Sequence, residues 1–173
     1  MAGMSERAGV IRRLAASLYE TLLLAALALV VGFALTPVLT AGPSLPALEH
    51  ALPLLTPAAQ ALSFGCLFAA FGAYCAWGWS DGRRTLPMKT WRLTLVRIDR
   101  TAPDGRTALV RYFAGWIGPA LALLGYVALR KAGHGTFALG LIAFNYLWAF
   151  ADPDRCFLHD RLAGTRIVVE GPA

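Results

Sequence analysis

The feature that most constrains this chain is an apolar run from Leu14 to Leu39, broken only by Ser17, Glu20, Thr21 and Thr36 and preceded by Arg7, Arg12 and Arg13. A cleavable signal peptide carries an apolar core of about 7 to 15 residues, whereas a helix needs about 20 to cross the hydrocarbon layer. The run therefore predicts a first membrane span that is retained. A segment with Gly42, Pro43, Pro46, Glu49, His50, Pro53 and Pro57 then breaks the pattern before a second run, Ala58 to Trp79, whose closing Trp77 and Trp79 suit a water interface. From Ser80 to Arg111 the composition turns charged, which predicts a loop outside the hydrocarbon. A third run, Tyr112 to Leu129, contains Gly118 and Pro119 and is bounded by Arg111 on one side and by Arg130 and Lys131 on the other. The fourth, Gly135 to Ala151, is near the lower limit of about 17 residues for a span and includes Asn145, so it reads either as a short span or as a re-entrant segment.

The expected fold is an all-α polytopic transmembrane bundle of about four spans, forming one domain over residues 1–173 with a tail from residue 152 onward. Within the charged loop, Arg92, Thr94 and Arg97 interleave with Leu93, Leu95 and Val96, and Pro103, Asp104 and Gly105 read as a turn. A short strand or hairpin fits this alternation, and an interfacial amphipathic helix is the competing reading. The tail sequence Thr165, Arg166, Ile167, Val168, Val169 is strand-like and could pair with Leu93 to Ile98.

Composition agrees with a bilayer environment: 57% of the 173 residues are apolar and 15% charged, with a mean hydropathy of +0.56. The net charge of +6 would suggest nucleic acid in a soluble protein. Here the basic residues sit between the apolar runs with no groove or stacking motif, so nucleic acid is not an expected partner. Counted by loop, three lie in the N-terminal arm, eight in the central loop and three in the tail, against only Arg130 and Lys131 between the third and fourth runs. The positive-inside rule then predicts a bacterial inner-membrane protein with both termini and the central loop cytoplasmic.

Three cysteines, Cys66, Cys75 and Cys156, give no disulfide framework and no zinc spacing. No P-loop, dinucleotide-binding, HExxH or GxSxG motif is present, so no enzymatic reaction, cofactor or metal is expected. His159 beside Asp160 reads as a packing or hydrogen-bonding histidine, because adjacent positions diverge and no third ligand is suitably spaced.

Glu20 is the most informative single residue, because a carboxylate inside a span costs about 2.5 to 3.5 kcal/mol at a helix centre. It lies about 10 Å along the helix from Arg13, on the same stripe with Ala16 between them. The two share a face but cannot touch. Asp152 or Asp160 is the expected partner for Arg13, and Asn145, Tyr146 or an arginine the expected partner for Glu20. One reading makes Glu20 a site that binds and releases a proton or small cation; the other makes it a polar clasp between helices. Asp152 before Pro153 should end the fourth run. Arg83, Arg84, Lys89 and Arg92 could contact anionic headgroups of membrane lipids, although the positive-inside rule alone accounts for them.

Several of these pieces together resemble a known family. Arg13, Ala16 and Glu20, the stretch Arg84, Thr85, Leu86, Pro87, Met88, Lys89, the Asp104, Gly105 pair, and the closing Leu158, His159, Asp160, Arg161, Leu162, Ala163, Gly164, Thr165 are similar to the RDD family of small bacterial integral membrane proteins. That family takes its name from one arginine and two aspartates. The resemblance carries the arginine onto Arg13 and the first aspartate onto Glu20, where this chain has the longer acid. The second aspartate falls on Asp160, with Asp152 in reserve. Cation/proton antiport has been proposed for some members, so the resemblance implies a transport-type role, compatible with a homo-oligomer. The alternative is a non-transporting membrane scaffold or interaction protein whose charges are structural.

Overall fold

The fold was analysed as a computed structural model that describes residues 8–40 and 56–169. Arg7 and the expected breaker segment from Gly42 to Pro53 lie outside the described residues. The chain is mostly helical. Two long helices come first, α1 (Val10–Thr40) and α2 (Pro57–Trp79). A short α3 (Leu86–Thr90) and strand β1 (Leu93–Arg97) follow, then α4 (Gly105–Gly115) and α5 (Ile117–Leu129). A 3₁₀ turn, Arg130–Ala132, leads to a 3₁₀ stretch, Gly135–Ala143, which runs into α6 (Phe144–Ala151); α7 (Leu158–Leu162) and β2 (Thr165–Val169) close the order. Among the described residues, three helices are long and apolar enough to cross a membrane: Val10–Leu39, Pro57–Trp79 and the nearly continuous α4–α5 segment Gly105–Ala132.

The chain divides into two compact units. One, Thr21–Tyr74, holds the distal part of α1 and most of α2. Its large apolar side chains, among them Leu22, Leu29, Phe33 and Phe64, are exposed. In water that surface would be an aggregation liability, but against acyl chains it is the matching one. Pro37 removes one helical N–H from α1, and Thr36 Oγ1 donates to Gly32 O at 3.0 Å in the same turn.

The other unit comprises Met1–Glu20 and Cys75–Ala173. Its centre is the antiparallel pair β1–β2, with Leu95 opposite Ile167, so the pairing that the alternation suggested is the one that forms. Leu93 and Leu95 point inward and pack with Ala16, Met88 and Ile167. Ala8 N donates to Ile167 O at 3.2 Å, which ties the segment before α1 to the sheet.

Three boundaries differ from the sequence expectation. The first helix begins at Val10 rather than Leu14, taking Arg12 and Arg13 into its first turns. Leu86–Thr90 is helical, with Pro87 in the first turn, where a missing N–H costs nothing. The third helical segment begins at Gly105, not Tyr112, because Asp104 is a helix cap as well as a turn residue: its side chain accepts from Thr107 N at 2.9 Å. The central loop therefore ends about two turns earlier than its charges suggested.

α5 packs against the 3₁₀ stretch through small residues. A Cβ at Gly118 would lie 2.5 Å from Ile142 O, and one at Gly125 would lie 2.9 Å from Ala138 Cβ. In lipid such close approach supplies the dispersion contacts that hydrophobic burial supplies in water. The tighter winding also lengthens the segment: at about 2.0 Å per 3₁₀ residue and 1.5 Å per α-helical residue, Gly135–Ala151 reaches roughly 30 Å, the thickness of a hydrocarbon core. α6 ends at Ala151, with Asp152 in extended conformation before Pro153.

Candidate functional site

Two buried arginines organise the polar end of the larger unit. Arg13, in the second turn of α1, is 5% exposed. Its guanidinium lies over the Phe157 ring, 4.5 Å from the centroid, and its Nη2 donates to Arg155 O. Arg111, on α4, is equally buried. Its Nε donates to Asp160 Oδ1 at 2.7 Å, and its guanidinium stacks 4.1 Å from the Trp79 centroid. Asp160 itself is fully enclosed. Burial alone would raise its carboxyl pKa, but the charge of Arg111 and the hydrogen bond it donates, with Arg13 further off, outweigh that penalty and hold the carboxyl below its usual range.

The expected carboxylate partner of Arg13 is thus corrected. Asp160 pairs with Arg111, which the sequence reading left among the loop's basic residues, while Arg13 is held by a backbone carbonyl and an aromatic face. It remains within electrostatic reach of Asp160. Asp152, the reserve for the second aspartate, accepts from Cys156 N at 2.9 Å and has Arg161 Nε at 3.8 Å. It fixes the turn after α6.

His159 is a hydrogen-bonding core residue. Arg111 Nη2 lies 3.3 Å from its Nε2, and Asp160 Oδ1 lies 3.6 Å from the same atom. Because a guanidinium only donates, the shorter contact assigns Nε2 as acceptor and the ring as neutral. Burial agrees, pushing the His159 pKa down to about 4 despite the opposing pull of Asp160. Tyr146 closes the cluster, with its ring edge-on to Phe157 at 5.1 Å.

Glu20 lies two turns further along α1 and is partly buried. Thr85 Oγ1 donates to Glu20 Oε2 at 2.8 Å. Thr85 occupies the position before the first turn of α3, without a side-chain cap bond, and is itself buried. Its position depends on Gly78, where a Cβ would come within 2.7 Å of Thr85 Cγ2. Asn145, one expected partner of Glu20, instead donates from Nδ2 to Gly115 O at 2.7 Å, joining α6 to α4. The structure therefore separates the four charges into a sealed group, Asp160 with Arg111 and Arg13, and a more accessible one at Glu20 and Thr85.

Of the basic residues expected at lipid headgroups, Arg83 is already committed: it donates from Nε to Trp77 O at 2.8 Å, pairs with Asp81 and stacks on Trp77. Lys89 and Arg92 are exposed, and Arg84 is half-buried. What the sequence reading missed was Arg111. A signal was available, since Ala108, Arg111 and Tyr112 fall three and four residues apart after a capping Asp104, which is the pattern of a buried helix face.

Three helices long and apolar enough to cross a membrane, in a chain that also buries the Arg111–Asp160 pair, define a helical integral membrane protein. The RDD family's sequence profile matches residues 7–164. This chain belongs to the RDD family. Neither a curated protein nor a solved structure gives a significant match.

Proposed function

We propose that this chain is a four-span inner-membrane protein with both termini and its charged unit on the cytoplasmic side, in which Glu20 binds and releases a proton or small cation. The observation that carries this reading is the 2.8 Å contact between Glu20 and the Thr85 hydroxyl. It is an intramembrane carboxylate whose neighbour can donate to the ionised form or accept from the protonated one. Arg13 on the same stripe and the Asp160 pair beneath it set the local field. The roughly 30 Å reach of Gly135–Ala151 supports the fourth crossing, and the distribution of basic residues supports the orientation. No enzymatic reaction is assigned.

A second reading rests on a different observation. The Arg111–Asp160 pair is sealed, and such a pair can serve as a structural clasp in a non-transporting scaffold that engages lipid, a second copy or another membrane protein. Dissipation of a pH gradient in proteoliposomes separates the two, with Na⁺, Li⁺ and K⁺ added in turn to wild type and Glu20→Gln. Cation-dependent flux that disappears in a folded Glu20→Gln protein is the expected result. Flux no higher than in empty vesicles would leave the scaffold reading standing alone.

A further inference from the structure

A cavity of about 260 Å³ opens at the start of α1, lined by Gly9 and Val10, by Arg13, Arg155 and Arg166, and by Asp154. Four independent features give it one chemical character. First, α1 is 31 residues long and has no acidic residue in its first turn, so its leading N–H groups and the positive end of its dipole have no carboxylate from that turn against them. Gly9 occupies the cap position: its carbonyl accepts from Arg13 N at 3.2 Å, and having no side chain it cannot cap the turn. A Cβ built there meets nothing within 4 Å.

Second, Arg13 is nine-tenths buried, lines this cavity, and has its Nε without a partner among the described residues. A guanidinium has five N–H donors, and among the described residues Arg13 donates from Nη2 to Arg155 O. Third, Arg166 repeats the pattern from β2, with Nη2 donating to Ile98 O at 2.9 Å and a buried, unpartnered Nε. Fourth, the acid in the lining among the described residues, Asp154, is engaged by Arg161 at 2.9 Å. The cavity thus joins a helix N-terminus to three arginines, with its carboxylate already paired.

We propose that this cavity is an anion site for a phosphate group, either the headgroup of an anionic phospholipid or a soluble phosphate compound. Phosphate suits both donor types here, because its oxygens accept from helix N–H groups and from guanidinium forks together. The site lies at the N-terminal end of α1, ahead of that helix's apolar stretch. It is distinct from the Arg83, Arg84, Lys89 and Arg92 segment, and it does not depend on transport through Glu20.

The test uses the full chain in non-ionic detergent micelles, following the melting temperature against inorganic phosphate, a short-chain phosphatidylglycerol, a short-chain phosphatidylcholine, and chloride at matched ionic strength. Two variants accompany wild type. Gly9→Asp puts a tethered carboxylate into the cradle, where it also caps α1, so this protein should melt no earlier than wild type while losing the ligand. Arg166→Gln removes one charged donor and should weaken apparent affinity by about tenfold or more.

A saturable rise with both phosphate and phosphatidylglycerol, absent with chloride and abolished in Gly9→Asp, is the expected result. A rise with phosphatidylglycerol alone identifies the lipid as the source, and one with phosphate alone identifies a soluble compound. No rise with either, or a rise that both variants retain in full, would overturn the proposal. Should Gly9→Asp fail to fold, the affinity change in Arg166→Gln decides.

Discussion

Removing the negative charge of Asp160 while keeping its shape should be the most damaging small change in this protein. Asp160→Asn leaves Arg111 as a cation at 5% exposure with its carboxylate partner gone. Breaking a buried pair on one side costs about 3 to 5 kcal/mol, because the surviving charge keeps its desolvation penalty without its compensation. The cost should fall toward the upper part of that range, since Arg13 also loses its nearby counter-charge. Removing the other partner, as Arg111→Met, strands the carboxylate and should cost a similar amount. With both changes together neither member of the pair is left as an unpaired buried ion, so the double variant should be less destabilised than the two singles combined, by about 2 kcal/mol or more. Reversible unfolding in mixed micelles at neutral pH, followed by tryptophan fluorescence, measures all four corners of the cycle. Additivity within about 0.5 kcal/mol, or a loss below about 1 kcal/mol for Asp160→Asn, would refute the clasp.

His159 predicts a pH dependence. Its folded pKa is about 4 against 6.5 unfolded, so the unfolded chain binds the extra proton between these values, and the stabilisation present above pH 6.5 is lost as pH falls toward 4. The full loss is roughly 3 kcal/mol, and it should vanish in His159→Gln when the unfolding midpoint is followed over that range. Gly118→Ala would drive a methyl group to 2.5 Å from Ile142 O, a backbone atom that cannot swing away. It should destabilise by about 1 to 3 kcal/mol, whereas Gly140→Ala, with open space around its Cβ, should change the melting temperature little.

The parts of this fold that could be read in the sequence are those whose physics is periodic and local. Leu93, Thr94, Leu95, Val96 alternate with period two, and the Thr165–Val169 strand completes the same sheet. The apolar runs could be read because bilayer thickness sets their length. Arg111 could not be separated from its neighbours by composition, since a cytoplasmic loop is expected to be basic whether or not one of its arginines turns inward. The cue lay in Asp104, which serves a turn and a helix cap with the same side chain. The 3₁₀ winding of Gly135–Ala143 was also hidden. Gly135 and Ala138 are buried three apart, a spacing an α-helix also permits, and the choice between them comes from the small-residue surface of α5.

The division of labour among the acids follows from access. Asp160 is sealed and bonded to Arg111 at 2.7 Å, so protonating it would strand a buried guanidinium; its geometry suits a permanent charge. Glu20 is only partly buried, and Thr85 can turn its hydroxyl to serve either protonation state. Glutamate carries one more methylene than the aspartate that the resemblance implies at this position, which moves the carboxylate about 1.5 Å further from the backbone. That extension is what meets Thr85, and Thr85 comes so close to α2 because position 78 has no side chain. The length of Glu20 and the missing side chain at Gly78 are thus two halves of one contact. Under the proposed transport reading the exchanging acid is therefore Glu20, while the sealed Asp160 pair holds α4 against α7.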